Sequence, residues 1–125
     1  MNVEKPATIA EGLMIAQPLK GKLALKALSE TNGLAEIVSD NQILETSKLL
    51  AKEEGLFVEP SAAVSVAGLI KLVENKVISN DETIVCILTG SGLKTREVYA
   101  EAVGKPMMIK PGLDEVENIL GKVKK

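Results

Sequence analysis

The sequence predicts a single α/β domain over residues 1–125, a three-layer αβα arrangement around a mainly parallel sheet. The stretch TIVCIL, residues 83–88, is almost wholly apolar and partly β-branched, as expected of a central strand covered on both faces. Segments of helical periodicity alternate with short extended ones along the chain. With 46% hydrophobic residues but one Phe, one Tyr and no Trp, the core is built from Ala, Leu, Ile, Val and Met, which suits helix-on-sheet packing. A length of 125 residues leaves room for one such core and little more.

Ile9, Leu13 and Ala16 fall near one face of a short first helix over residues 8–16, which Pro18 interrupts. A second helix, residues 21–31, holds Leu23, Ala24, Ala27 and Leu28, and Asn32-Gly33 supplies a left-handed stop. Residues 34–38 read as a short strand. Ser39 followed three residues later by Gln42 has the spacing of a capping box, so a helix starts there, faces the core with Ile43, Leu44, Leu49 and Leu50, and stops at Gly55. Residues 56–58 are short and extended, Glu59-Pro60 is a break, and Ser61 is placed to cap a helix reaching Val73. Ala62, Ala63, Ala67 and Gly68 let that helix approach a sheet closely. Beyond the strand at 83–88, residues 95–103 read as a helix, residues 107–109 as an edge strand and residues 113–123 as a final amphipathic helix.

Fifteen basic and seventeen acidic residues are scattered, with a formal charge of −2. No basic face is available to neutralise phosphates and almost no aromatics to stack on bases, so nucleic acid is not an expected partner. A single Cys86 and the absence of His exclude an intrachain disulfide and a Cys/His zinc site. The opening MNVEKPATIAEG lacks the basic start and apolar run of a secretory leader, and residues 60–70 are too short an apolar stretch to span a bilayer. A cytoplasmic protein without a membrane partner is the expectation.

The leading candidate site is Thr89-Gly90-Ser91-Gly92, at the carboxyl end of the best strand, where open α/β sheets bind ligands. Glycines there let backbone approach a ligand, and Thr89 and Ser91 offer hydroxyls that donate and accept. Two familiar motifs fail. A P-loop has glycine directly before its lysine, whereas Leu93 precedes Lys94; the dinucleotide fingerprint needs a third glycine where Thr95 stands. The plain structural alternative is a tight turn in which Thr89 or Ser91 caps a helix.

The segments TIAEGLMIAQPLKG (8–21), LKALSETNGLAEIVSDNQILE (25–45), LLAKEEGLFVEPSAA (49–63), VAGLIKL (66–72) and DETIVCILTGSGLK (81–94), with KPMMIKPGLDEVENIL (105–120) more weakly, appear in family order. Together they resemble the C-terminal part of the threonine synthases, pyridoxal-phosphate enzymes of the tryptophan-synthase-β-like, fold type II group. The resemblance implies that Thr89 hydrogen-bonds the pyridine nitrogen of the cofactor, that Gly90, Ser91 and Gly92 shape the wall beside the ring, and that Glu59 is a neighbouring group. It also implies a full enzyme roughly three times this length, whose earlier segments supply the Schiff-base lysine and the loop gripping the cofactor phosphate. Lys94 follows the ring-nitrogen segment and does not match that lysine.

The expectation is therefore a C-terminal segment of an enzyme converting O-phosphohomoserine to threonine, inactive alone and holding no pyridoxal phosphate alone. A partner chain carrying the lysine, or self-association, would complete it. The alternative is a stand-alone module that binds a small ligand or self-associates without catalysis.

Overall fold

The computed structural model describes residues 5–79, 81–104 and 107–123. Residues 1–4, part of the opening read against a leader, lie outside them. Five helices follow in order: α1 (Gly21–Thr31), α2 (Asp40–Glu53), α3 (Pro60–Glu74), α4 (Arg96–Val103) and α5 (Leu113–Val123), with 3-10 turns at Glu11–Leu13 and Gly92–Lys94.

Local sequence signals set several helix ends. Asn32 adopts the left-handed conformation with φ 50°, and the Gly33 amide turns back to the Leu28 carbonyl at 2.9 Å, closing α1 as a short polar side chain and a glycine allow. The capping box of α2 is complete: the Gln42 amide donates to Ser39 Oγ at 3.3 Å and the Ser39 amide donates to Gln42 Oε1 at 2.8 Å. Beyond the end of α2, Gly55 takes φ +67°, which a side chain would strain. Pro60 opens α3 at a position whose amide has no helical partner.

The core lies between α2, α3 and the chain before α1. Ala10, Ile43, Leu50, Val58, Ala62 and Ala63 form it, with Ile9, Val38, Val64, Val66 and Leu88 packed against it. Its small side chains allow α2 and α3 to approach closely. Ile43 and Leu50 are buried as the periodicity predicts, whereas Leu44 is half-buried and Leu49 exposed. The Thr8 hydroxyl donates to Asp40 Oδ1 at 2.5 Å, and the Gly12 amide donates to Ser61 Oγ at 3.0 Å, strapping the N-terminal segment over both helices.

The three-layer αβα sheet expected from sequence is not present among the described residues. The only β pairing there is one isolated antiparallel bridge, Val58 to Ser91. Residues 34–38, 83–88 and 107–109 form no strands. The reason is that a strand exists only against a neighbour: its amides and carbonyls bond sideways, and although Leu34 and Glu36 face residues 84–87 across a cavity, no backbone bond joins these segments among the described residues. The expected helix over residues 8–16 reduces to the turn Glu11–Leu13, held by Leu13 N to Ala10 O at 2.8 Å, because Ala10 is buried by the strap rather than by a helical face. Ser61 does not cap α3: Glu59 occupies the cap position without a side-chain bond, and Ser61 receives the Gly12 amide instead.

The chain exposes 10312 Å². A folded monomer of its 13.3 kDa mass exposes roughly 6,500 Å². Much of the excess is apolar, including Leu23 and Leu25 of α1, Val85, Ile87 and Leu113. Among the described residues no helix is long and apolar enough to cross a membrane.

Candidate functional site

The loop of residues 89–92 is held against the segment joining α2 to α3. The Glu59 amide donates to the Gly90 carbonyl and the Gly92 amide donates to the Phe57 carbonyl, each at 3.0 Å, around the Val58–Ser91 bridge. These two bonds give the loop a fixed register.

Both glycines are spaces that a neighbour fills. A Cβ on Gly90 would overlap the carboxyl carbon and Oε1 of Glu59, and one on Gly92 would come within 2.7 Å of the Phe57 ring. Neither glycine has a left-handed φ, so close approach is what requires them. The Phe57 ring is fixed in turn by Tyr99 of α4, edge to face at 4.9 Å between centroids. Tyr99 is buried, donates to the Val58 carbonyl at 2.6 Å and lies 3.0 Å from Ser47 Oγ on α2. Burial pushes its phenol above the ordinary value, so the hydroxyl stays a donor across the physiological range.

The side chains divide by role. Ser91 Oγ accepts from the Leu93 amide at 3.3 Å and caps the 3-10 turn Gly92–Lys94, so the capping alternative holds for Ser91. Thr89 is exposed, and among the described residues its hydroxyl has no hydrogen-bond partner. Glu59 heads α3 without capping it; its carboxylate, mostly buried, lies over Gly90 with Lys94 Nζ 4.0 Å from Oε2. The Lys94 side chain is largely in solvent, where a weak ion pair suits it and the desolvation of a nucleophilic amine is absent.

Thr89, Gly90, Ser91 and Gly92 are thus contiguous in space as in sequence, and Glu59 joins them. Sequence reasoning missed Phe57 and Tyr99. Their signal was available, since they are the only aromatic residues in the chain, but their contacts link positions 41 and 52 residues apart. The chemistry offered is that of one free hydroxyl beside two close-packed glycines and a carboxylate. Such a hydroxyl can donate a single hydrogen bond to a neutral acceptor such as an unprotonated ring nitrogen, while the space over Gly90 and Gly92 is taken by Glu59 and Phe57.

A family model described as pyridoxal-phosphate dependent enzyme matches residues 1–90, which takes in Glu59, Thr89 and Gly90. The chain is 44% identical to the threonine synthase of Methanocaldococcus jannaschii over 117 residues, 94% of this chain and 29% of the relative. It is 43% identical to that of Methanosarcina acetivorans over 97% of the chain and 30% of the relative. With the threonine synthase of Synechocystis the identity is 37%, over 95% and 31%. The chain therefore spans about 30% of the length of these curated relatives.

Proposed function

We propose, from the premise that this chain belongs to the pyridoxal-phosphate dependent enzyme family, that it is the ring-nitrogen segment of a threonine synthase-like enzyme acting on O-phosphohomoserine. Supporting this are the relatives' names and, above all, the unpartnered hydroxyl of Thr89, next to a loop backbone bonded to residues 57 and 59 and to a Ser91 engaged in capping. Residues 89–92 suit the ring end of a cofactor site, with Thr89 donating to the ring nitrogen and Gly90, Ser91 and Gly92 forming the backbone wall beside it. When bound, the cofactor supplies an electron sink for negative charge developing beside the substrate amine. A neutral hydroxyl, unlike a carboxylate, leaves the ring nitrogen unprotonated, so the sink is moderate, as elimination and replacement at the β and γ carbons require. Glu59, seated over Gly90, is the neighbouring group of that wall.

The chain alone is proposed to be inactive and to hold no cofactor measurably. In this reading the Schiff-base lysine and the phosphate grip belong to the part of a threonine synthase that this chain does not span, and the largely exposed Lys94 does not take the lysine's place.

The test is a graft. This chain replaces the matched segment of the archaeal relative, and threonine formation from O-phosphohomoserine is followed with pyridoxal phosphate present. The graft is expected to turn over while the isolated chain does not. In the graft, Thr89→Val should lower kcat roughly ten- to a hundredfold, the effect of losing one hydrogen bond to a buried acceptor, and Thr89→Ser should stay within a few-fold. A Thr89→Val graft as fast as its parent removes Thr89 from the site; turnover by the pure isolated chain refutes the inactive-alone reading.

A further inference from the structure

The Phe57 ring serves more than the loop it packs on. It lies over Gly92 and also borders a cavity of about 350 Å³ between α2 and α4, at the small end of the roughly 300–1,000 Å³ range of ligand pockets. Tyr99 completes an aromatic lining, and Ala51 of α2 and Val103 of α4 border the same space. The hydroxyls beside it are engaged inward: Tyr99 donates to the Val58 carbonyl at 2.6 Å, and Ser47 Oγ, 3.0 Å from the tyrosine oxygen, donates to the Ile43 carbonyl at 3.0 Å. The polar groups left to a ligand are the ammoniums of Lys48 and Lys52, at i and i+4 and so on one face of α2. Their own partners are Glu45 at 2.8 Å and Glu53 at 2.7 Å, exposed pairs that cost little to share. Among the described residues that line the cavity none is acidic.

We propose that this cavity binds a small aromatic monocarboxylate, its ring against Phe57 and Tyr99 and its carboxylate at Lys48 and Lys52, and that the occupant steadies Phe57 and through it residues 89–92. The ligand class follows from the lining. Aromatic side chains favour offset or edge-on contact with another ring, and two ammoniums without an opposing carboxylate select an anion. With the Ser47 and Tyr99 hydroxyls already bonded, little is offered to a polyhydroxy ligand. The link to the loop is short: the Gly92 amide donates to the Phe57 carbonyl at 3.0 Å, and the Phe57 ring fills the space a Cβ on Gly92 would need. The site goes beyond the cofactor reading, since its ligand touches none of residues 89–92 and binds whether or not a cofactor does.

In the test, 3-phenylpropionate is titrated into the full chain without pyridoxal phosphate while the amide spectrum is followed, and 3-phenylpropionamide, of the same shape without the charge, is the comparison. Saturable shifts are expected at Ala51, Phe57 and Val103 with a Kd on the order of 1 mM, as a small, partly open site permits. Exchange of the Gly92 amide should slow about threefold at saturation. The neutral amide should bind roughly fivefold more weakly, and so should the acid to Lys48→Gln with Lys52→Gln. Ala51→Leu, a good helix former at an exposed position, should fill the cavity and abolish binding with the helical circular dichroism unchanged. The same loss of charge on α1, Lys22→Gln with Lys26→Gln, should leave the Kd as it was. The proposal is overturned by the absence of saturable shifts at ten times the expected Kd, by equal binding of acid and amide, or by binding indifferent to the Lys48 and Lys52 changes. Saturation with an unmoved Gly92 amide overturns the link to the loop. A probe that binds the chain but not the graft, read by saturation transfer, shows the cavity covered by the remainder of a longer protein and overturns the site there. Because no cofactor or turnover is read, a graft that makes no threonine leaves this result standing.

Discussion

Gly90 and Gly92 are both close-approach glycines, yet what each one faces differs in stiffness. Gly90 meets the end of the Glu59 side chain, which can swing away from an added methyl at the expense of a weak contact with Lys94. Gly92 meets the Phe57 ring, which is partly exposed but packs edge to face on the buried Tyr99. Overpacking against a ring held by a neighbour costs about 1–3 kcal/mol, whereas turning aside the end of a flexible side chain costs less. Gly92→Ala should therefore destabilise the chain by about 2 kcal/mol in urea titration, and Gly90→Ala by less than half of that. Equal losses at the two positions would mean that the Phe57–Tyr99 pair does not brace the loop. In the sequence the glycine spacing drew attention to the right four residues, but it could not say that one of them, Ser91, is engaged in capping, nor that two lone aromatics fix the other side. Those facts depend on contacts across more than forty residues, which no local pattern encodes.

At the level of elements, what was legible was what short-range chemistry decides. The Ser39–Gln42 capping box, the Asn32 stop and the Gly55 stop each involve residues within a turn of one another, and all three stand as the sequence has them. Ser39 is the helix start with both reciprocal bonds formed, so Ser39→Ala should cost about 1 kcal/mol, measured as a drop in urea midpoint with an unchanged slope, and Ser39→Asp should restore most of it. An unchanged midpoint in the alanine variant would place the start of α2 under tertiary rather than capping control. The strands were not legible in the same sense. The residues of 83–88 keep the alternation and composition of a strand, but pairing is a property of two segments, and among the described residues no backbone bond joins these to another. Ser61 shows the same limit in small: a hydroxyl beside a helix start is a good cap until a distant amide, here that of Gly12, competes for it.

For the whole molecule, the decisive quantity is surface. An unfolded chain of 13.3 kDa exposes roughly 19,000 Å² and a compact one roughly 6,500 Å², so compact folding would hide nearly 13,000 Å²; this chain, at 10312 Å², hides about 9,000 Å². The slope of unfolding free energy against urea scales with the surface newly exposed, so it should be about 30% below that of a compact domain of 125 residues at low protein concentration. Sharing an interface would raise it, because the apolar surface now exposed on residues 83–88 and on α1 would then be released only on unfolding. If the proposed reading holds, joint refolding with the part of a threonine synthase that this chain does not span should steepen the transition, whereas the chain alone should keep its shallow slope on dilution. A slope at the compact-domain value in dilute isolated chain would mean that the open face closes on itself in solution, and the unpaired strand would then be a segment with an internal partner rather than one half of a sheet.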